Sequence, residues 1–185
     1  TGKVQNTLDK KHLLVFCADN GVYAEGVASS PRSVTLMQTI NLTRAKTGAS
    51  VLAKHVGAGI TVCDVGVDAD IRDSAVLNKK IAYGTKNMTK EPAMTRQQAL
   101  TAILTGVELA QNTDAGVFGI GEMGIGNTTT SAAVLSVLLD ADVEQVTGRG
   151  AGITDDGFRK KKNAIRKAIE INRPNPNDVV DVLSK

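Results

Sequence analysis

Short apolar runs that alternate with helical patterns constrain the fold of this chain more than any other feature. The runs His12–Ala18, Ile60–Val65 and Ala115–Ile120 are largely apolar, which is typical of strands buried on both faces. Strands and helices in alternation form βαβ units with parallel strands. The length of 185 residues suits one domain. We therefore predict a single α/β domain over residues 1–185, with a Rossmann-like, three-layer parallel sheet and helices on both faces.

Capping residues and glycines mark where the helices begin and end. Ser30-Pro31 suits a helix start, because Ser caps well and Pro is favoured in the first turn, and this helix is predicted to end near Gly48. A capping box at Thr95–Gln98 opens another helix. Its predicted apolar face is Ala99, Ile103, Val107 and Ala110. Further helices are predicted at residues 50–56, 128–139, 155–171 and 179–184, and residues 143–146 are a candidate fourth strand.

Composition excludes several classes of protein. The chain has 22 Lys and Arg against 19 Asp and Glu, with two Tyr, three Phe and no Trp, so neither a basic patch nor a stacking platform indicates nucleic-acid binding. No apolar stretch approaches the ~20 residues that cross a membrane. Cys17 and Cys63 lie in apolar runs without metal-site spacing, so we expect buried, inert thiols. Reduced thiols and the lack of a visible signal peptide predict a cytoplasmic protein. Because Thr1 is not Met, we expect the native start to lie upstream.

A glycine-rich loop, Gly119–Gly126, follows the third strand and precedes a helix. Glycines let a backbone approach a ligand closely, and a helix N-terminus offers free N–H groups to a phosphate. In open α/β sheets, ligands bind at the carboxyl ends of strands, where this loop lies. We therefore predict that phosphate binds at Gly124, Ile125, Gly126, Asn127, Thr128 and Thr129.

Two alternatives to this phosphate loop stay open at this point. The first is a tight strand-to-helix turn that binds no ligand. The second is a dinucleotide fingerprint, because Gly119, Gly121 and Gly124 fit G-x-G-x-x-G, which would indicate an NAD-type oxidoreductase. That fingerprint requires an acidic residue after the next strand, about 20 residues on. Here the acidic residues in that range stand before or at the start of the next apolar run: Asp140, Asp142 and Glu144.

Charged residues around the loop suggest further roles. Glu122 would repel a phosphate unless it faces another part of the ligand, such as a ribose or an azole N–H. Lys160, Lys161 and Lys162 point about 100° apart on a helix, so one or two of them at most can face the loop. A metal site is a further alternative for Asp64, Asp68 and Asp70, although solvated loop carboxylates are more common. We predict no metal and no cofactor, and His12 and His55 have no catalytic partner at motif spacing.

Several motifs, spread in one order over nearly the whole chain, resemble those of nicotinate-nucleotide–dimethylbenzimidazole phosphoribosyltransferases. The family more often has His at the position of Asn20. The matching segments are Ala18–Val22, Glu25–Val27, Asp64–Val67, Pro92–Arg96, Gly121–Thr129, Gly148–Gly150 and Asn172–Lys185. The resemblance implies a homodimer with a Rossmann-like domain. It also implies transfer of the phosphoribosyl group from nicotinate mononucleotide to 5,6-dimethylbenzimidazole, which yields nicotinate and α-ribazole 5'-phosphate.

The resemblance also implies roles for individual residues. Gly150, Ala151, Gly152 and Lys161 would assist the phosphate loop, and Glu122 would support catalysis. The benzimidazole pocket would include Ser30 and Gln38, and Met123 is a further candidate for contact with the ring. The general base of the family lies in sequence beyond Lys185, so we expect slow turnover by these 185 residues alone. A non-catalytic chain that binds phosphate or dimerises is the alternative.

Overall fold

The computed structural model describes residues 2, 4–5 and 8–185, with four strands in one parallel sheet. The strands are β1 (Lys11–Ala18), β2 (Gly59–Gly66), β3 (Val76–Asn78) and β4 (Val117–Met123). Their order across the sheet is β3-β2-β1-β4, so β1 is central and β4 is an edge strand. The register aligns Val15 of β1 with Val62 of β2 and Gly121 of β4.

Seven α-helices and one 3₁₀ helix, Gly21–Glu25, accompany the sheet within the described residues. No helix there is long and apolar enough to cross a membrane. The α-helices are α1 (Val34–Thr43), α2 (Gly48–His55), α3 (Arg96–Asn112), α4 (Asn127–Leu138), α5 (Val143–Val146), α6 (Asp155–Asn172) and α7 (Val179–Ser184).

Alternate residues of β1 face two separate apolar clusters, one on each side of the sheet. Val15 and Cys17 pack with Leu42 of α1 on one side. Leu14 packs with Leu109 of α3 on the other side. This alternation follows from the two-residue period of a strand. It confirms the predicted α/β fold, with a parallel sheet between helical layers.

A third apolar cluster lies among helices rather than against the sheet. It joins α4 and α6 through Ala132, Ala164 and Ile165, with Val22 of the 3₁₀ helix and Val143 of α5. None of its core residues belongs to a strand. The helices after β4 therefore form a group of their own, although the alternation of elements predicts that they cover the sheet.

Three predictions about the elements were wrong. Residues 143–146 form α5, not a strand, because the Asp142 side chain caps the Glu144 amide and starts a helical turn. The short strand β3 was not predicted, since no element was expected between the second strand and the helix that begins at the Thr95 capping box. The helix after Pro31 begins at Val34 and ends at Thr43, earlier than Gly48, because Ala45 has a positive φ of 51°.

The predicted apolar face of α3 was also partly wrong. The capping box of Thr95 and Gln98 is confirmed. However, Ile103 is 41% exposed and Val107 is 45% exposed. The buried side of the helix is Ala99, Thr105 and Leu109. Thr105 tolerates burial because its hydroxyl donates a hydrogen bond to the carbonyl of Thr101 within the helix.

Candidate functional site

A crevice opens where the strand order changes direction. From β1 the chain moves to β2 on one side, and it later crosses to β4 on the other side of β1. The loops that leave β1 and β4 at their carboxyl ends therefore diverge, which is the usual ligand position in open α/β sheets. Beside them lies a cavity of about 290 Å³, here called the turn cavity. Its walls are residues 27–30, 123–128, 149–151 and Ile153.

A sharp turn, Gly124–Gly126, forms one wall of this cavity between β4 and α4. The predicted glycine loop is shorter than expected, because Gly119, Gly121 and Glu122 belong to β4. A dinucleotide fingerprint needs its first glycines in the turn itself. Two of the three glycines that fit the fingerprint are strand residues here, which argues against the dinucleotide alternative.

Most backbone amides from Ile125 to Thr129 already have partners. The amide of Ile125 donates to Thr35 Oγ1, and that of Thr128 donates to Asn127 Oδ1. Carbonyls of the turn accept from Asn127 and Thr129. From Ile125 to Thr129, only the Gly126 amide makes no hydrogen bond within the described part of the chain. This amide, with φ at 91° and close to the start of α4, is available to a bound anion.

Lys161 of α6 approaches the first turn of α4, next to the glycine turn, but it is not among the described residues that line the turn cavity. Its side chain is buried, with 1% of the residue exposed. Its Nζ donates to Thr128 Oγ1 at 2.7 Å and to the Gly148 carbonyl at 2.8 Å. Among the described residues, no carboxylate forms an ion pair with this ammonium group. Burial away from water lowers the pKa of Lys161 from its usual value. A buried cation with only neutral partners is a strong candidate for binding an anion.

The loop after α5 closes the cavity on the other side. Gly150 has a positive φ of 59°, and a Cβ added there would lie 2.9 Å from Thr128 Oγ1 and 3.6 Å from Lys161 Nζ. A glycine therefore lets this loop approach the ammonium group closely. The structure brings Gly150 and Ala151 onto the cavity wall together with Gly124–Thr128.

A second space, here called the sheet-edge groove, lies between β4 and the start of α2. Its volume is about 640 Å³. The polar residues that line it include Gln38 and Glu122, and its apolar residues include Leu13, Val15 and Ile120. Met123 lines both the groove and the turn cavity. The two spaces are therefore neighbours that share the Met123 side of their walls.

The two residues expected to line one benzimidazole pocket lie in different spaces. Ser30 lines the turn cavity, whereas Gln38 lines the sheet-edge groove. They are on either side of Met123, the third predicted contact. A shared pocket would require a ligand that spans both spaces or a rearrangement of the loop before α1.

Glu122 is exposed at the end of β4 and is held by a neighbour. Its Oε1 accepts a hydrogen bond of 2.6 Å from Asn127 Nδ2. The same Asn127 side chain accepts from the Thr128 amide at 2.7 Å. Asn127 therefore joins the carboxylate of the groove to the first turn of α4, and it separates Glu122 from the position of a phosphate.

Other predicted site residues lie away from the cavity walls. The Thr129 hydroxyl is buried and makes no hydrogen bond within the described part of the chain, and neither Thr129 nor Gly152 is among the described residues that line the turn cavity. Their roles in binding phosphate stay predictions. Lys160 pairs with Asp156 on the surface of α6. Lys162 is less exposed than Lys160, because its Nζ lies 4.5 Å from the centroid of the Phe158 ring and it also pairs with Glu144.

Sequence reasoning missed Arg149 as a wall of the turn cavity. Its guanidinium donates to the Ile153 carbonyl, pairs with Asp155 and stacks 4.9 Å above the Phe158 ring. The Gly-Arg-Gly pattern of residues 148–150 was the available signal, since flanking glycines let an arginine backbone approach a ligand.

The acidic residues after β2 are engaged in separate structural contacts. Asp64 pairs with Lys80 at 2.8 Å and accepts from the amides of Gly66 and Val67. Asp68 pairs with Arg32, and Asp70 accepts from Tyr83, so the three carboxylates do not converge. Within residues 2, 4–5 and 8–185, no group of three or more His, Cys, Asp or Glu side chains lies close enough to hold a metal ion.

Neither cysteine is suited to act as a nucleophile. Burial raises the pKa of the Cys17 thiol to about 11 and that of Cys63 to about 12. Both are buried and free, as predicted. Their place in the clusters on the two faces of the sheet makes them small apolar core residues.

Comparisons with known proteins agree with the motifs. A family model described as phosphoribosyltransferase matches residues 1–185. The nicotinate-nucleotide–dimethylbenzimidazole phosphoribosyltransferase of Clostridium tetani is 51% identical over this whole chain, and that of Ruminiclostridium cellulolyticum is 48% identical. The chain spans only 52% and 53% of these two proteins.

A solved structure gives the same result for the fold. The crystal structure of CobT from Thermus thermophilus superimposes with a TM-score of 0.92 at 35% identity. The match covers 99% of this chain and 56% of that one. Family model, relatives and fold all agree over nearly every residue, so this chain belongs to the nicotinate-nucleotide–dimethylbenzimidazole phosphoribosyltransferase family.

Proposed function

We propose that this chain forms the substrate-binding core of an enzyme that transfers a phosphoribosyl group from nicotinate mononucleotide to 5,6-dimethylbenzimidazole. The products are nicotinate and α-ribazole 5'-phosphate. The observation that supports this most is Lys161, a buried ammonium group near a glycine turn that pairs with no carboxylate among the described residues. The names of the relatives supply the substrates, because the geometry alone indicates only an anion next to an apolar groove.

The phosphate of the nucleotide would occupy the turn cavity. Two of the three protons of Lys161 are bonded to Thr128 and to the Gly148 carbonyl, which leaves one for a ligand. The free Gly126 amide adds a second donor at the start of α4. A phosphate bound there would supply the counter-charge that the buried ammonium lacks, so binding would offset part of its desolvation.

The ring of the acceptor would occupy the sheet-edge groove. A benzimidazole is flat and apolar with polar nitrogens at one edge, and it fits a groove with apolar walls and the amide of Gln38. Met123 lies between the two spaces, where its thioether can pack on a ring or a sugar. The ribose would then lie near Glu122, between the phosphate and the ring.

The chemistry requires few catalytic groups. The bond from the ribose C1' to the pyridinium nitrogen breaks, and nicotinate leaves as a neutral ring nitrogen without needing an acid. The azole nitrogen that carries a lone pair forms the new bond to C1', and the N–H proton on the other azole nitrogen passes to a base. As C1' becomes cationic, the Glu122 carboxylate would stabilise it electrostatically. Positioning by the remote phosphate supplies most of the remaining rate acceleration.

A chimera tests this proposal directly. The 185 residues would replace the matching segment of the Clostridium tetani enzyme, and nicotinate release from nicotinate mononucleotide with dimethylbenzimidazole would be measured against that parent. We expect turnover by the chimera. A folded chimera that binds nicotinate mononucleotide but releases no nicotinate would exclude the proposed reaction. Tighter binding of NAD than of the mononucleotide would instead favour the oxidoreductase alternative. A homodimer stays a prediction from the family resemblance, and a cytoplasmic location stays a prediction from the sequence.

A further inference from the structure

The Gly124–Gly126 turn is held by two side chains from outside it. Both polar groups of Ile125, the middle residue of the turn, are engaged. The Ile125 amide donates to Thr35 Oγ1 at 3.1 Å, and the Ile125 carbonyl accepts from Asn20 Nδ2 at 3.3 Å. Thr35 lies on α1, and Asn20 follows β1. Two side chains that precede the turn by 90 and 105 positions in sequence therefore fix the amide and the carbonyl of Ile125.

The turn cannot easily find another position. A Cβ at Gly124 would lie 2.1 Å from the Ala18 carbonyl oxygen, so this backbone already presses on the end of β1. Thr35 is fully buried, with 0% exposure, whereas Ile125 is half-buried. The Ile125 amide points at this buried hydroxyl, and an apolar group in its place would leave the N–H without its acceptor, which is destabilising. The hydroxyl of Thr35 therefore decides where the Ile125 amide points.

We infer that Thr35 is a positioning residue for the anion-binding turn, with Asn20 as a weaker second support. With the Ile125 amide directed into α1, the next amide along the chain, that of Gly126, is the one left for a ligand. Thr35 also lies one helical turn before Gln38, which lines the sheet-edge groove. Helix α1 therefore holds the Gly124–Gly126 turn through Thr35 and forms one wall of the sheet-edge groove through Gln38. This inference rests on the proposed phosphate site.

The test is substitution of Thr35 by Val, which keeps the shape of the side chain and removes the acceptor. Thr35→Ser restores the hydroxyl and serves as the conservative rescue. Thr39→Val is a matched control, because Thr39 is also 0% exposed on α1, and its hydroxyl donates to the Thr35 carbonyl without contacting the turn. Inorganic phosphate and nicotinate mononucleotide would be titrated by calorimetry, and hydrogen exchange of the Ile125 amide would be followed by NMR.

We expect Thr35→Val to weaken phosphate binding about tenfold and to speed exchange of the Ile125 amide, because this amide loses its acceptor and the turn loses one of its two supports. Thr35→Ser should bind like the parent. Thr39→Val should also bind like the parent, even where its thermal stability falls by as much as that of Thr35→Val. Equal phosphate affinity in the parent and Thr35→Val would overturn this inference alone. A parent that binds no phosphate would overturn the proposed site, and with it the role of Thr35.

Discussion

Replacement of Lys161 by Met should weaken anion binding at the turn cavity without lowering the stability of the protein. Met keeps most of the apolar stem but removes the ammonium group. A charge-assisted hydrogen bond contributes about 1.5–3 kcal/mol, which corresponds to roughly a 10- to 150-fold weaker affinity for phosphate or nicotinate mononucleotide. The stability of the ligand-free protein should move little or rise, because a buried ammonium without a carboxylate partner is unfavourable.

The structure supports this unusual pair of expectations. The acceptors of the Lys161 protons belong to Thr128 and Gly148, which are both exposed, so water can replace the ammonium group as their partner. Lys160→Met and Lys162→Met are the matched controls on the same helix. Lys160 pairs with Asp156 at the surface, and the less exposed Lys162 pairs with Glu144 beside the Phe158 ring. Within the described structure neither ammonium group bonds Thr128 or Gly148, so we expect affinities within about twofold of the parent.

Calorimetric titration with phosphate gives the affinities, and urea unfolding of the ligand-free proteins gives the stabilities. Equal losses of affinity in all three variants would mean that only the general positive potential attracts the anion. A large loss of stability in Lys161→Met, with unchanged affinity in the protein that remains folded, would refute the argument from the unpaired ammonium group. It would show instead that Lys161 is a structural link between α6 and the loop after α5.

Two further predictions concern backbone crowding and the buried thiols. Gly124→Ala should lower the free energy of unfolding by about 1–3 kcal/mol and abolish phosphate binding, because the new Cβ would overlap the Ala18 carbonyl. Gly148→Ala, where no atom lies within 4 Å of an added Cβ, should be close to neutral in urea unfolding, and equal losses would contradict the crowding argument. The second prediction concerns Cys17, whose pKa in the folded protein is raised from 9.0 to about 11. The neutral thiol therefore contributes its full stabilisation below pH 9.0, and this contribution is lost as the pH rises through about 11. Between pH 9 and pH 11 the free energy of unfolding should therefore fall less steeply with pH for Cys17→Ala than for the parent. Identical slopes in the two proteins would contradict the raised pKa of a buried Cys17 thiol.

Local patterns in the sequence were enough to predict most of the elements. The runs that became β1 and β2 are apolar on both faces, and that property belongs to the residues themselves. The Thr95 capping box marks the start of α3, because a cap depends on residues three positions apart. The glycines after the third strand also predicted a turn before the next helix, although Gly119 and Gly121 belong to β4, and anion binding at Gly124–Gly126 stays a prediction.

Local patterns failed where a contact with the rest of the molecule decided the outcome. Ile103 and Val107 have helical spacing, but α3 turns Thr105 and Leu109 towards the sheet instead. Residues 143–146 are apolar enough for a strand, but no strand edge lies beside them in the described part of the chain, and the Asp142 cap makes a helical turn. Hydrophobic period alone cannot decide which neighbour an element packs against.

The sequence by itself determined the parallel α/β class, the glycine turn and the family, because each depends on residues that are close in the chain or on motifs in a fixed order. Only the tertiary structure placed β4 beside β1, which opens the crevice at the carboxyl ends of the strands. It also brought Lys161 to Thr128, and Thr35 to Ile125, across 33 and 90 positions of sequence. These distant pairs depend on strand order and helix packing, and no local period or spacing encodes them.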